Sequence, residues 1–459
     1  MKLTLLGAGV RTPFVLRGLA DRARDLGLSE VVLHDIDHER LDLMSALGAH
    51  LCREWEASFT VRGERDPRAA LADARFVFSA IRVGQEQARA FDEEIPLKYG
   101  VLGQETTGPG GFAMAMRTIP VMLDYARLIT ETAPEALLVN FTNPVGVIMQ
   151  ALSDHSSVRA VGICDGPISM KRSIAEFLGV QGDDVHADYF GLNHCGWIHR
   201  VLVEGRDRLP EILDRYEELQ RADEQWRLFD PGLVRSLGML PMEYLYFYYY
   251  REQAVAAIRR SGGTRGRQIA ALNDALWPIL RERIGAGDLP GANQAWERVM
   301  ETRGETYFAR ERGESVTAQS LDELDPEVEM FEGEGYEGVA TAVMVSALQR
   351  RRVPLILNVP NRGAIRDLRD DDVVEVTCMA DQHGAHPLAQ GAIPEAARSL
   401  LEPVKEFERL TVQAAVEGSY SKALDALAVH PLVGSPELAR SILDDYVSAH
   451  GELLGYLRP

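Results

Sequence analysis

Cysteine is scarce in this chain: Cys52, Cys164, Cys195 and Cys378 are the only four among 459 residues, widely and irregularly placed. That spacing excludes a disulfide framework and fits reduced thiols. No Cys-x-x-Cys pair exists, and no His-x-x-x-His pair includes His194, so no local ligand pair announces a closed zinc site. Long apolar runs are missing too, which excludes a membrane span. The first residues, Met1 to Leu6, run straight into a strand without a basic segment or cleavage site, so a cytoplasmic protein is expected. Positive charge is in deficit: 49 Lys and Arg stand against 69 Asp and Glu, a net charge of -20. With no basic cluster to track phosphates, nucleic acid and anionic membranes are excluded as partners, and a small anionic ligand would need a local pocket of Arg. Internal repeats and low-complexity tracts are also absent. What remains is an ordinary globular composition, 46% hydrophobic and 26% charged, in a chain long enough for two domains.

The N-terminal part alternates strand and helix. Lys2–Leu6 reads as a buried strand, Gly7-Ala8-Gly9 as a phosphate loop, and Pro13 can open the helix that follows. A second strand, Val31–Leu33, ends at His34-Asp35, where a dinucleotide-binding fold contacts the adenosine ribose; Asp35 would repel a 2′-phosphate, so NAD is expected over NADP. The fingerprint departs from the usual one, with Thr12 in place of the third glycine and Asp35 later than the usual spacing. Strands at Phe59–Val61, Phe76–Ala80, Ala136–Val139 and Val158–Ile163 continue the series, with helices over Leu41–Trp55 and Met116–Thr130. The predicted fold is α/β: a doubly wound parallel, Rossmann-type sheet over residues 1–165, then a mixed α+β lobe over residues 166–459. The Gly- and Pro-rich stretch Pro96–Gly111 reads as an ordered loop, and residues 281–338, rich in Glu and Gly, as a solvated segment. Tail patterning over Pro436–Tyr456 predicts a docked C-terminal helix.

Several residues stand at strand ends, where open α/β sheets place ligands. Asn140 and Asn143 flank Phe141-Thr142 and can cap a helix or bond a nicotinamide or sugar hydroxyl. Cys164 and Asp165 follow the sixth strand, before a helix over Ile168–Leu178. His194 follows an aromatic, β-prone run, with a strand pair near Tyr189–Val203. Tyr244–Tyr250 is the most aromatic run; most of its rings are expected to pack a helix, with one facing a cleft. Arg265 and Arg267 begin a helix and are either phosphate ligands or exposed charges.

Taken in order, Ile81–Gly84, Ile95–Gly100, Gln104–Gly111, Asn140–Pro144, the Cys164 loop, Gly191–His194, Tyr244-Leu245 and Leu357–Gly363 resemble glycoside hydrolase family 4 over nearly the whole chain. Within it the likeness is to 6-phospho-β-glucosidases, NAD-dependent exceptions to the two-carboxylate glycosidases. The resemblance implies NAD, held by Gly7, Gly9, Asp35 and Asn140, and a divalent metal, usually manganese, held by Cys164 and His194. It implies Tyr244 as base, and Arg82, Asn143 and Arg265 as contacts to a phosphorylated glycoside. The implied reaction is oxidation at C3, elimination across C1–C2, addition of water and return of the hydride; a phenol acting as base near neutrality would need a nearby cation. A homodimer or homotetramer is implied as well. Two features depart from the family pattern. The phosphate-contacting loop is one residue shorter and lacks its Ser, although Arg11 offers a cation, and Asp165 stands where β-acting members have Asn and α-acting members Asp. Asp165 is therefore kept as candidate general acid, with a role behind the metal or as a helix cap as the alternative. Competing functions are a 6-phospho-α-glucosidase or a non-phosphorylated glycosidase of the same family, an inactive sugar-sensing relative, and an NAD-dependent 2-hydroxy acid dehydrogenase with a cleft His paired to Asp.

Overall fold

Six short strands run through the first part of the chain, and the four inner ones are buried almost throughout, as strands covered on both faces must be, whereas the edge strand Thr60–Gly63 is largely exposed. The six are β1 (Lys2–Leu6), β2 (Glu30–His34), β3 (Thr60–Gly63), β4 (Phe76–Ser79), β5 (Leu137–Asn140) and β6 (Arg159–Gly162), all paired in parallel in the order β6-β5-β4-β1-β2-β3. The chain winds outward in both directions from the β1–β4 seam, so a crevice opens beyond the carboxyl ends of these two strands. Gly7 sits there with φ 98°, and a Cβ on it would come within 2.8 Å of the Ala80 carbonyl oxygen. Only glycine fits that crossing. The computed structural model describes residues 1–309, 312, 336–349 and 352–458. Among them no helix is long and apolar enough to cross a membrane.

A second sheet follows, from β7 (Val185–Leu192), β8 (Cys195–Val203), β9 (Arg206–Asp207) and β10 (Leu240–Pro241), in the order β10-β8-β7 with β9 beside β8. The tight turn between β7 and β8 carries His194 at φ 62°, a left-handed conformation uncommon for a residue with a side chain. The chain then returns to the first sheet. β11 (Val353–Pro360), β12 (Val373–Asp381) and β13 (Gly384–Pro387) extend it antiparallel beyond β6, giving nine strands. The sheet thus crosses the division expected at residue 165. Antiparallel neighbours need no crossover helix, so these strands leave no βαβ signature in the sequence. Thr377 of β12 ties the sheets together, accepting from Tyr189 N at 2.9 Å and donating to the Ala187 carbonyl at 2.7 Å.

Two expectations need correction. The stretch Pro96–Gly111 is not one loop: Pro96 to Lys98 close the helix Gln85–Lys98, and Pro109 opens the helix Pro109–Thr132 at its first turn, where a missing N–H costs nothing. The glycines between serve close approach, since a Cβ on Gly103 or Gly110 would fall within 2 Å of the Glu93 or Gln104 carbonyl oxygen. The segment 281–338 is also not simply solvated. Arg265–Gly285 and Leu289–Glu305 are helices, the second capped by Asp288 and burying Trp296, Val299 and Met300. Its charged residues, Glu297, Arg298, Glu301, Arg303 and Glu305, line the large cleft, and it is these charges that the composition registered as solvated. Trp296 Nε1 donates to the Val10 carbonyl at 2.6 Å, seating the helix on the glycine loop; the middle of the expected segment lies outside the described residues. The C-terminal helix Pro436–His450 is docked, with Tyr446 buried and its hydroxyl on the Asp92 carbonyl.

Candidate active site

The crevice beyond β1 and β4 deepens into a cleft of about 1100 Å³ whose far wall comes from the second sheet and the helices after Tyr244. Gly7, Gly9, Asp35, Arg82 and Asn143 line one side; Cys164, Asp165, His194, Tyr244 and Arg265 complete it. Asn140 is the exception. It is fully buried, and its side chain folds back on the turn, accepting from Thr142 N and donating to the Thr142 carbonyl, both at 3.2 Å. Fully buried, turned onto its own chain and not among the cleft-lining residues, Asn140 is out of reach of a nicotinamide bound in the cleft.

One end of the cleft suits a dinucleotide. A Cβ on Gly9 would meet nothing within 4 Å, so ligand space adjoins the backbone there, and the helix Thr12–Asp21 begins without a side-chain cap. Uncapped N–H groups at a helix start attract phosphate. Asp35 closes β2 and accepts from Ala8 N and Asp37 N, each at 2.8 Å, so its charge is fixed beside the glycine loop. Asp35→Asn keeps an acceptor oxygen for those bonds while removing the charge. We expect it to raise the KM for NAD about tenfold or less and to improve NADP, read from initial rates with each cofactor.

At the other end, hydrogen bonds prepare His194 as a ligand. The Thr106 hydroxyl donates to Gln104 Oε1 at 3.1 Å, so its oxygen accepts from His194 Nδ1 at 2.9 Å and leaves Nε2 with a lone pair. Burial pushes the imidazole down to about 4, which keeps it neutral. Cys164 is buried, and burial first, then the Glu375 and Asp165 carboxylates, push its thiol well above the ordinary range. Asn143 Oδ1 is buried without a partner among the described residues. Among the described residues no three His, Cys, Asp or Glu side chains gather to hold an ion. A thiol and an imidazole nitrogen lining one cleft fit an open catalytic metal site with positions left for water or substrate, and the orphaned Asn143 oxygen is free to accept from a sugar hydroxyl. The Asp165 side chain makes no cap bond at the helix Gly166–Leu178, which removes the helix-capping alternative and leaves the carboxylate facing the cleft 4.0 Å from the Cys164 sulfur.

Tyr244 lies flat on His194, ring centroids 3.8 Å apart and planes within 4°. Burial, then Glu243 and Glu105, push its phenol well above its usual value, so the chain's own groups keep it protonated. Its neighbours in the aromatic run behave as packing: Tyr246 and Phe247 are buried, and Tyr249 accepts from Trp197 Nε1. Next to the phenol are two groups that sequence reasoning missed. Tyr307 hydroxyl lies 2.7 Å from Glu243 Oε1 and 3.2 Å from the Tyr244 hydroxyl. Burial raises Glu243 to about 7, against the Tyr307 hydrogen bond.

A cationic pocket completes the site. Arg303 is pushed well below the usual guanidinium range by burial and by Arg11, Arg89, Arg265 and Arg82 around it. Among the described residues its Nη1 reaches an amide and no carboxylate: Asn273 Oδ1, at 3.3 Å. Arg265 bonds Gln268, Thr306 and the Arg303 carbonyl, joining the two helices, whereas Arg267 pairs with Glu94 on the surface. Glu105 pairs with Arg82 and Arg89 at 2.8 and 2.9 Å; burial opposes its charge, but those guanidiniums hold it at about 2. Arg89 also pairs with the buried Glu93 at 2.9 Å, so five guanidiniums stand against two carboxylates and leave a surplus of positive charge suited to an anion. Arg303 escaped notice because it sits in the segment whose composition reads as solvated.

Comparison with known proteins bears directly on this arrangement. The model described as Family 4 glycosyl hydrolase matches residues 2–180, and that of the Family 4 glycosyl hydrolase C-terminal domain matches residues 189–433. A 6-phospho-beta-glucosidase of Escherichia coli (strain K12) is 31% identical over 99% of this chain and 96% of its own. The 6-phospho-beta glucosidase of Thermotoga maritima, solved with manganese, NAD+ and glucose-6-phosphate, is 28% identical with a TM-score of 0.81, over 98% of this chain and 99% of that one. A 6-phospho-alpha-glucosidase from gut microorganisms, solved with NAD and Mn2+, is 26% identical with a TM-score of 0.81, over 98% of both chains.

Proposed function

This chain belongs to family 4 of the glycosyl hydrolases, and from that premise we propose that it is an NAD- and divalent-metal-dependent glycosidase of the 6-phospho-β-glucosidase type. The observation that carries the reading is the phenol of Tyr244 stacked on His194, within one cleft that also holds a dinucleotide end and an arginine pocket. Gly7, Gly9 and the uncapped helix start receive the pyrophosphate of NAD, and Asp35 the adenosine ribose. Cys164 and His194 hold manganese, and Asn143 Oδ1 takes a sugar hydroxyl. When bound, NAD takes the hydride from C3 and later returns it, while the metal polarises the neighbouring oxygens and acidifies the C2 hydrogen. Lowered by the charge of a bound metal, the Tyr244 phenol gives its own proton to solvent; the phenolate oxygen then removes the C2 proton, and Asp165 gives one to the departing glycosidic oxygen. The C6 phosphate lies among Arg303, Arg265, Arg82 and Arg11, which offsets the missing loop Ser.

The test is hydrolysis in deuterium oxide. An oxocarbenium route never breaks the C2–hydrogen bond, whereas this one must rebuild it from solvent, so the sugar product should carry deuterium at C2 by NMR. Product with hydrogen retained there rules the elimination route out. Asp165, free of any capping bond, favours one second reading, cleavage of α-linked 6-phosphoglucosides; rates on both p-nitrophenyl anomers decide between them. A 2-hydroxy acid dehydrogenase is disfavoured because His194 bonds Thr106 and not a carboxylate. The four free, buried thiols support a cytoplasmic setting, and the expected homodimer or homotetramer is checked by mass in solution.

Substrate charge gives a separate expectation. Arg303→Gln removes one charge-assisted partner of the phosphate, worth about 1.5–3 kcal/mol, and should raise the KM for the 6-phosphorylated glycoside by about 10- to 100-fold. The small activity on the unphosphorylated sugar should barely change. Equal losses on both sugars would mean that Arg303 serves the fold and not the phosphate.

A further inference from the structure

We propose that Tyr307, anchored on Glu243, is a positioning residue for the hydroxyl of Tyr244. The proposal rests on the reading of Tyr244 as the group that takes the C2 proton. A hydroxyl has one hydrogen to give. Tyr307 gives it to Glu243 Oε1, the closer and more basic acceptor at 2.7 Å, so at 3.2 Å it accepts from the Tyr244 hydroxyl. With Tyr244 protonated the order of donation is therefore Tyr244 to Tyr307 to Glu243; once Tyr244 is a phenolate, the same contact holds its oxygen with Tyr307 as the donor. Stacking on His194 fixes the plane of the Tyr244 ring but leaves it free to slide within that plane; the bond to Tyr307 removes this freedom. Tyr307 is itself held edge-on by Phe308, centroids 4.8 Å apart at 86°, and Phe308 packs edge-on against Tyr244 at 5.7 Å. Glu243 adjoins Tyr244 in the 3-10 turn Glu243–Leu245, so anchor and base move together while Tyr307 comes from beyond the helix Leu289–Glu305. All three residues line the cleft.

Misplacing a reacting atom by about 1 Å costs on the order of 100-fold, so Tyr307→Phe, which keeps the ring and its packing, should lower kcat by about 10- to 100-fold. The KM values for NAD and phosphoglycoside should stay within about twofold, because neither ligand loses a contact. The isotope effect on kcat with substrate deuterated at C2 should rise, as proton removal becomes the slower step. Glu243→Ala should behave like Tyr307→Phe. Glu243→Gln retains an oxygen acceptor and should restore most of the rate. Wild-type kcat and isotope effect in Tyr307→Phe, or equal losses in Glu243→Gln and Glu243→Ala, would overturn the positioning role. The wild-type enzyme in deuterium oxide separates the two levels: deuterium at C2 with indifferent variants removes only the role of Tyr307, and no deuterium at C2 removes the base assignment and this proposal with it.

Discussion

Tyr244→Phe is expected to lower turnover by about 100- to 10,000-fold, the range that general acid–base groups contribute, while NAD and metal bind as before. The substitution is narrow. Phe presents the same face to His194, 3.8 Å away and nearly parallel, and the same edges to Phe247 and Phe308. Only the hydroxyl and its bond to Tyr307 are lost, and neither supports the fold of a half-buried turn. Exchange of the C2 hydrogen with solvent should fall by the same factor as turnover, since one oxygen moves the proton in both. Hydride transfer at C3 does not need that oxygen, so reduced NAD should form in a single turnover and persist, visible as absorbance of the reduced nicotinamide. A variant that hydrolyses at full rate would reduce Tyr244 to one more ring in an aromatic run.

The two halves of this site were not equally legible. Strands β1, β2, β4 and β5 are short buried runs, and each ends close to where patterning puts it, because a strand buried on both faces has no polar alternation to confuse. Strands β11 to β13 are equally apolar but join by antiparallel pairing, which carries no periodic helix to signal membership of the same sheet. Cys164, His194 and Tyr244 were named because each sits in a motif. Arg303 and Tyr307 sit in none; their place in the cleft comes from the fold of a charged segment that turns its polar residues onto the cleft, which composition alone reads as solvation. Asn140 failed for the opposite reason. Its position matches a ligand-facing strand end, but its side chain turns back onto Thr142 and is buried away from the cleft, and a sequence shows position without showing which way a side chain turns.

Cys164→Ser should weaken manganese binding by at least about 100-fold and abolish metal-dependent turnover, because it removes a direct ligand where even supporting residues cost 10- to 100-fold. The physical reason is protonation. In the metal-free protein, burial together with Glu375 and Asp165 keeps the thiol protonated well above its ordinary range, so metal must displace a proton to gain the sulfur. A serine hydroxyl is far harder to deprotonate, and its oxygen sits on a shorter bond. Metal affinity of the wild type should accordingly fall as pH falls, since protons compete for the same atom, and calorimetric titration at two pH values reads both the slope and its loss in the variant. NAD binding, followed by fluorescence, should stay within about twofold, because Gly9 and Asp35 belong to loops after β1 and β2 and not to the Cys164 turn. Mild oxidation should inactivate the wild type reversibly and leave the residual rate of the variant untouched. If Cys164→Ser binds manganese with wild-type affinity and turns over normally, the sulfur is not a ligand, and His194 would have to share the ion with Asp165 or Asn143.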